Sequence, residues 1–341
     1  MKDKSVVSGP ASPPPPRPAA VGVVVIGRNE GERLKRCFES LRTHAARTVY
    51  VDSGSTDDSV GVARSFGVAV LELDMSTPFT AARARNAGFE LLFKAHPNLD
   101  HVFFVDGDCE VAAGWVATAT AFLVSHPDVA VVSGRRREQH PEHSIYNLLC
   151  DMEWDTPIGA AQACGGDAMV RVRAFQQVQG YRAELICGEE PELCLRLRRA
   201  GWLVWRLDEE MTRHDAAIHR FRQWWRRMLR GGYGFALGSA LHGRAPERHW
   251  VQESRRAWFW GLCIPLTTVI LTATFGPRAL LLLLIYPLQT VRLALRGTRT
   301  PRENWWRAAS LVLCRFPEVV GQMKFMLDQH RRAPSRLIEY K

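Results

Sequence analysis

The chain has 341 residues, 46% of them hydrophobic and 23% charged, an ordinary globular balance that excludes a chain too polar to build a core. The net charge of +10 is uneven: residues 222–341 hold 20 Lys and Arg against 6 Asp and Glu, and the rest is mildly acidic. The C-terminal third is therefore expected to meet an anionic surface. Eight scattered cysteines without a Cys-x-x-Cys pair argue against structural zinc and a disulfide framework, and for a reducing, cytoplasmic setting.

Residues 1–20, with four consecutive prolines from Pro13 to Pro16, read as an extended or disordered tail without the apolar core of a signal peptide. At residue 21 the pattern changes. Residues 21–26 read as a buried strand ending at Gly27–Arg28–Asn29–Glu30. Residues 32–43 have helical spacing, with Leu34, Phe38 and Leu41 on one side. Residues 48–51 form a short strand pattern ending at Asp52, followed by a helix pattern at 59–66, a strand at 69–73 and a helix at 81–95. The apolar run at 101–105 then ends abruptly in Asp106–Gly107–Asp108. This alternation predicts an α/β fold: a mostly parallel central sheet flanked by helices.

From about residue 220 the character shifts. Residues 258–275 carry no charge; Gly276–Pro277–Arg278 breaks the run, and 279–291 resumes it. A spanning helix needs about 20 apolar residues, so each arm is marginal. Arg255 and Arg256 before the hairpin and Arg292, Arg296 and Arg299 after it place both ends on the cytoplasmic side. A buried hairpin in a soluble domain, or a re-entrant one interrupted at Pro265 and Pro287, are the alternatives. Residues near 305–327 mix apolar and basic types like a helix lying in a membrane interface. The expected organisation is a tail at 1–20, a catalytic domain at 21–220 and a basic helical membrane-associated region at 221–341, with its apolar hairpin at 258–295.

Two carboxylates at the C-terminal end of a strand buried on both faces are hard to explain by folding alone. Open α/β sheets bind ligands at that edge, and paired acids suit an oxygen-ligated divalent cation carrying a diphosphate. Asp52, heading the turn-rich Ser53–Gly54–Ser55–Thr56–Asp57, can accept from a base or ribose, while the turn itself suits helix capping. Arg83 and Arg85 open a helix, where a diphosphate would be welcome. Cys187–Gly188–Glu189–Glu190–Pro191–Glu192 precedes a helix at 193–200; its acids suit a helix start and also supply a general base. His214 is a further metal-ligand candidate.

In this order the elements resemble the family 2 glycosyltransferases with a GT-A fold, over residues 21–234. The resemblance rests on Arg28–Asn29–Glu30 after the first strand, on Asp52–Ser53–Gly54–Ser55–Thr56–Asp57 with Ser53 in place of a second acid, on Ala84–Arg85–Asn86, on Asp106–Gly107–Asp108 as the Asp-x-Asp signature, and on Gly188–Glu189–Glu190 with Glu in place of Asp. It implies a nucleotide-sugar site of Gly27, Arg28, Asn29, Glu30, Asp52, Arg85 and Asp106. It further implies a Mn²⁺ or Mg²⁺ held by Asp106, Asp108 and His214, and Glu190, or Glu189, as the base. The final motif of processive synthases is not reproduced in Gln223–Trp224–Trp225–Arg226–Arg227, so transfer of a single sugar is expected.

The implied donor is a UDP-linked sugar, and the acceptor a hydroxyl on a lipid-linked or envelope-glycan precursor. The implied location is the cytoplasmic face of the inner membrane, with lipids and no nucleic acid as partners. A nucleotidyltransferase-like enzyme and a non-catalytic membrane-bound nucleotide-sugar-binding protein are the competing readings. The first would want a Gly-rich, Lys-bearing phosphate loop, which Gly27–Arg28–Asn29–Glu30 is not.

Overall fold

The structure, a computed structural model, describes residues 18–331 and 338–339. The tail expected at 1–20 therefore lies almost wholly outside the described residues. Nine strands form one sheet: β1 (Val21–Gly27), β2 (Thr48–Asp52), β3 (Ala69–Glu72), β4 (His101–Asp106), β5 (Cys109–Val111), β6 (Val129–Glu138), β7 (Gly159–Ala160), β8 (Ala168–Arg171) and β9 (Leu203–His214). Seven helices accompany them: α1 (Glu32–Ser40), α2 (Ser59–Ser65), α3 (Ala81–Ala95), α4 (Trp115–Ser125), α5 (Ile145–Trp154), α6 (Val172–Gln177) and α7 (Glu189–Arg199).

The strand order is β3-β2-β1-β4-β8-β6-β9-β5, with β7 on β9. The first four strands pair in parallel; beyond β4 the sheet is mixed, because β8 runs antiparallel to both β4 and β6. The pleat explains why β1 and β4 are almost unbroken hydrophobe. Val23, Val25, Phe103 and Val105 face one side, where Leu34, Phe38 and Trp115 of α1 and α4 cover them. Val24, Ile26, Val102 and Phe104 face the other, under Leu92, Phe175 and Leu197 of α3, α6 and α7. A strand covered on both faces has no polar side to show.

Two helix boundaries differ from the sequence expectation. The helix expected at 32–43 stops at Ser40, because the Leu41 N–H is shared between the Cys37 and Phe38 carbonyls (3.2 and 3.1 Å) and the chain tightens into 3₁₀ turns. The helix expected at 193–200 begins at Glu189, so both candidate bases lie in its first turn, after Gly188 at φ +77°. Pro191 fits there because N–H groups of a first turn have no intrahelical acceptor.

The C-terminal region is helical: α8 (Phe221–His242), α9 (Val251–Trp258), a π turn, α10 (Ile264–Phe275), 3₁₀ turns from Pro277 to Leu284, α11 (Ile285–Leu295), α12 (Pro301–Leu313) and α13 (Arg315–His330). Two continuous arms, Val251–Phe275 and Pro277–Leu295, are long and apolar enough to cross a membrane. The single helix expected near 305–327 is instead two, broken at Cys314. Pro317 has no N–H for the Leu313 carbonyl, and its ring would clash with it. α8 and α13 approach so closely that a Cβ on Gly232 would lie 2.0 Å from the Glu318 carbonyl oxygen, and one on Gly321 2.0 Å from that of Leu229.

Candidate active site

The connections reverse direction between β1 and its neighbours β2 and β4, and such a switch point opens a crevice at the C-terminal strand ends. Register sets Gly27 level with Asp52, and Ile26 level with Asp106. A cavity of about 1010 Å³ lies here, bounded by the β1 loop, Asp106–Asp108, the start of α7, and Arg230, Gly234 and Phe235 of α8.

Asp106 ends β4 with its carboxylate between two guanidinium groups: Arg85 on one oxygen (2.9 Å) and Arg136 on the other (3.2 Å). Burial opposes its ionisation, but Arg85 and Arg136 outweigh that and hold it below the usual carboxylate range. Asp108 is buried and lies 3.2 Å from His214 Nε2. Sequence distance hides this pairing, which β5 creates by setting Cys109 opposite His214 across the β5–β9 ladder. The His214 ring is held edge-on to Trp154, with centroids 4.8 Å apart.

Asp106, Asp108, Cys109 and His214 bring one ligand atom each within 4.8 Å of one another. Two carboxylates and an imidazole are a donor set for Mn²⁺ or Mg²⁺, and neighbouring ligands of a six-coordinate ion at about 2.1 Å would stand about 3 Å apart, as Asp108 and His214 do. Cys109 differs: burial and Asp167 push its thiol well up, and the protonated sulfur donates to Asp167 (3.2 Å). The three residues named from sequence thus fit a cation, and the thiol beside them is a neutral donor.

Arg85 is almost fully buried and ties this centre to α7. Besides Asp106, its guanidinium contacts Glu189 (3.1 Å) and Glu190 (2.9 Å), and it lies 5.7 Å from the Tyr181 ring. Glu189 is the more deeply buried of the two acids, and Glu190 reaches further toward the cavity. Burial and the adjacent Glu189 push the Glu190 carboxyl up to about 7, against the pull of Arg85. A carboxylate poised there can take a proton near neutral pH.

The first nucleotide-loop candidates serve one another. Asn29 adopts φ +56°, and its side-chain oxygen accepts from the Thr56 N–H (2.7 Å), stapling the β1 loop to the β2 loop. Arg28 meets Glu339 (3.1 Å), and Glu30 pairs with Arg33 (2.8 Å). These residues and Gly27 line the cavity. Asp52 shapes the turn that follows β2: its oxygens accept from the Tyr50 hydroxyl and from the Gly54 and Ser55 N–H groups.

Two residues were missed. Asp167 is fully buried and accepts from the Asp106 N–H (3.0 Å) and the Thr212 hydroxyl (2.7 Å). Arg136 lies 3.5 Å from Asp167 and 4.9 Å from the centre of the Trp154 ring. Signals existed in Gly165–Gly166–Asp167, another acid abutting an apolar strand, and in three arginines closing a strand at 135–137. Alternation sends only Arg136 into the site; Arg135 and Arg137 pair with Asp151 and Glu210.

Family models agree with this geometry. The model of glycosyl transferase family 2 matches residues 22–177, and that of glycosyl transferase family group 2 matches residues 104–295, more than half of the chain. The chain belongs to the family 2 glycosyltransferases. Among curated relatives, a pre-mycofactocin glycosyltransferase of Mycobacterium tuberculosis is 30% identical over 212 residues, covering 58% of this chain and 43% of that protein. The succinoglycan biosynthesis protein ExoA of Rhizobium meliloti is 25% identical over 202 residues, covering 55% and 60%. The chain thus spans about half the length of these relatives. In fold it is similar to the mannosyltransferase PcManGT of Pyrobaculum calidifontis, solved with GDP-Man and Mn²⁺: TM-score 0.61 at 18% identity, over 91% of this chain and 87% of the other. This family 2 glycosyltransferase therefore has a GT-A-type sheet, with two apolar helical arms added behind it.

Proposed function

We propose that the protein transfers a single sugar, with inversion, from a UDP-linked donor to a hydroxyl of a lipid-linked or envelope-glycan acceptor. It would do so at the cytoplasmic face of the inner membrane, through a catalytic unit at 21–220 carried on the basic region 221–341. The observation that carries the reading is the convergence of Asp106, Asp108 and His214 within one ligand sphere, with Glu190 joined to Asp106 through Arg85 at the same cavity. Asp108 and His214, with Asp106, would hold Mn²⁺ or Mg²⁺, whose charge offsets that of a departing diphosphate.

The chain's own residues do the rest. Glu190 accepts the proton of the acceptor hydroxyl as that oxygen attacks the anomeric carbon. The bond from that carbon to the diphosphate breaks, its electron pair leaving with the nucleoside diphosphate. Arg85 keeps Glu190 and Asp106 at fixed separation, and Arg136 with Asp167 fixes the other side of Asp106. The β1 loop, stapled by Asn29, forms the nucleotide wall.

A panel of nucleotide sugars with Mn²⁺ or Mg²⁺, given to membrane-extracted protein, tests this by thermal shift and nucleotide release. Metal- and acceptor-dependent release of UDP is expected. Release of pyrophosphate would point to nucleotidyl transfer, and ligand binding without turnover on any hydroxyl acceptor to a binding protein.

A further inference from the structure

We infer that the hairpin crosses the whole bilayer, setting Gly276–Pro277–Arg278 in the far headgroup layer and both its bases on the side of the catalytic domain. This rests on the reading of residues 221–341 as membrane-bound. The occupant of its apolar surface is a bilayer containing anionic lipid, on grounds of charge: exposed Arg255, Arg256, Arg292, Arg296 and Arg302 stand at the base, and between Arg256 and Arg292 the only charged residue is Arg278 at the tip.

The surface is outward-facing. Phe275 is 79% exposed, Leu288 67%, Leu281 66% and Val269 65%, values no soluble core tolerates together. Three threonines of the first arm are satisfied within it: Thr268, Thr272 and Thr274 donate their hydroxyls to the carbonyls of Ile264 (2.9 Å), Thr268 (2.8 Å) and Ile270 (3.0 Å).

Length and the turn decide the depth. From Ala257 to Pro277 there are 21 residues without a charge. At about 1.5 Å per residue they extend about 31 Å, against a hydrocarbon core of about 30 Å. The return arm, 279–291, is tighter: six residues of 3₁₀ turn at about 2.0 Å and seven of α-helix at about 1.5 Å give about 22 Å. Arg278 and Arg292 cap its two ends, and their long stems reach outward to make up the difference. A hairpin stopping at the midplane would leave the exposed guanidinium of Arg278 in hydrocarbon, where a charge is costly. Reaching the far headgroups gives it water.

Inside the hairpin, six residues in from Arg292, Tyr286 donates its hydroxyl to the Trp260 carbonyl (2.5 Å), and its ring lies 5.5 Å from Phe316, fastening both arms to the start of α13. α12 and α13 expose Trp305, Trp306, Met323 and Met326, as helices lying in an interface do.

The test places single cysteines in full-length protein carrying Cys263→Ser, reconstituted in sealed vesicles containing phosphatidylglycerol with the catalytic domain outside. Arg296→Cys reports the near side; Arg278→Cys and Ala279→Cys report the tip, the latter keeping the arginine. A membrane-impermeant maleimide added outside is expected to label position 296 alone, and the same reagent trapped inside to label 278 or 279 alone. Tip labelling from outside, or from neither compartment until detergent is added, overturns a full crossing and leaves the membrane reading standing. Failure of the protein to float with the vesicles overturns both.

Discussion

The catalytic half and the C-terminal half solve opposite problems. Among the described residues up to 220 only four large hydrophobic side chains are exposed, whereas 22 are exposed from Phe221 to Leu327. The first half instead buries charge: Arg85, Asp108, Asp167, Glu189 and His214 are all at or below 6% exposure. One half removes ions from water and matches them to one another; the other leaves hydrocarbon uncovered and rings it with arginine. The lesson is that one half matches buried ions to one another while the other leaves hydrocarbon facing outward, its own helices α8 and α13 held together by the glycine contact.

The sharpest way to break the comparison is to remove the matched ions that do chemistry. Asp108→Ala and Glu190→Gln should each lower kcat by about 10²–10⁴-fold with unchanged circular dichroism, as for loss of a positioned acid–base group. Chelation should abolish turnover and added Mn²⁺ restore it. Full activity in either variant would refute the assignment.

Next comes the ion that holds the network together. Arg85→Met leaves three carboxylates around a neutral stem and should cost about 3–5 kcal/mol in denaturant unfolding. Because Arg85 favours the ionised form of Glu190, its loss should also move the pH–rate rise to higher pH.

The α8–α13 packing within the C-terminal half is weaker. Gly321→Leu, driven into the Leu229 carbonyl, should cost about 1–3 kcal/mol of stability by overpacking. A thermal shift in the intact protein measures it, and an unchanged Tm would mean the helices are free to part.

In the unmodified enzyme, Glu190 acts as a base only when ionised, and its carboxyl is raised to about 7. Below pH 7 kcat should therefore fall toward tenfold per pH unit, with a plateau above. A flat profile from pH 5 to 8 would remove Glu190 from the role. The smallest effect belongs to the C-terminal half: Trp305→Ala or Trp306→Ala, at 47% and 39% exposure, should weaken vesicle partitioning by about fivefold, measured by flotation.

Much of this division was legible before any coordinates. Apolar runs ending at Asp52 and Asp106 gave both strands and their edge, because a doubly covered strand leaves its composition no freedom. Asp108 stood out as an acid where folding needs none, and Glu190 as one of three acids crowded at a helix start. What stayed hidden depends on register. His214 meets Asp108 only through the β5–β9 ladder, and Asp167 reaches the Asp106 N–H across 61 residues. That Arg85 pairs with three carboxylates was hidden too, because they come from residues 21 to 105 positions away along the chain. The break at Cys314 was present in Pro317, masked by the strong apolar spacing on both sides of it.

The three arginines closing β6 have a consequence for how this gene can change. The β6–β9 register already shifts between Ser133 and Arg135 and again between Arg135 and Arg136. Were the strand to slip by one residue in either direction, Arg135 or Arg137 would arrive beside Asp106 and Asp167, and the site would still receive a guanidinium. The neighbours set the limit: such a slip would take the partner from Asp151 or Glu210, drive a side chain into the Gly134 slot, where a Cβ would lie 2.6 Å from the Glu209 carbonyl oxygen, and pull buried Glu138 from the Ala216 N–H. Gly134 and Glu138 thus pin the register on which the choice of Arg136 depends.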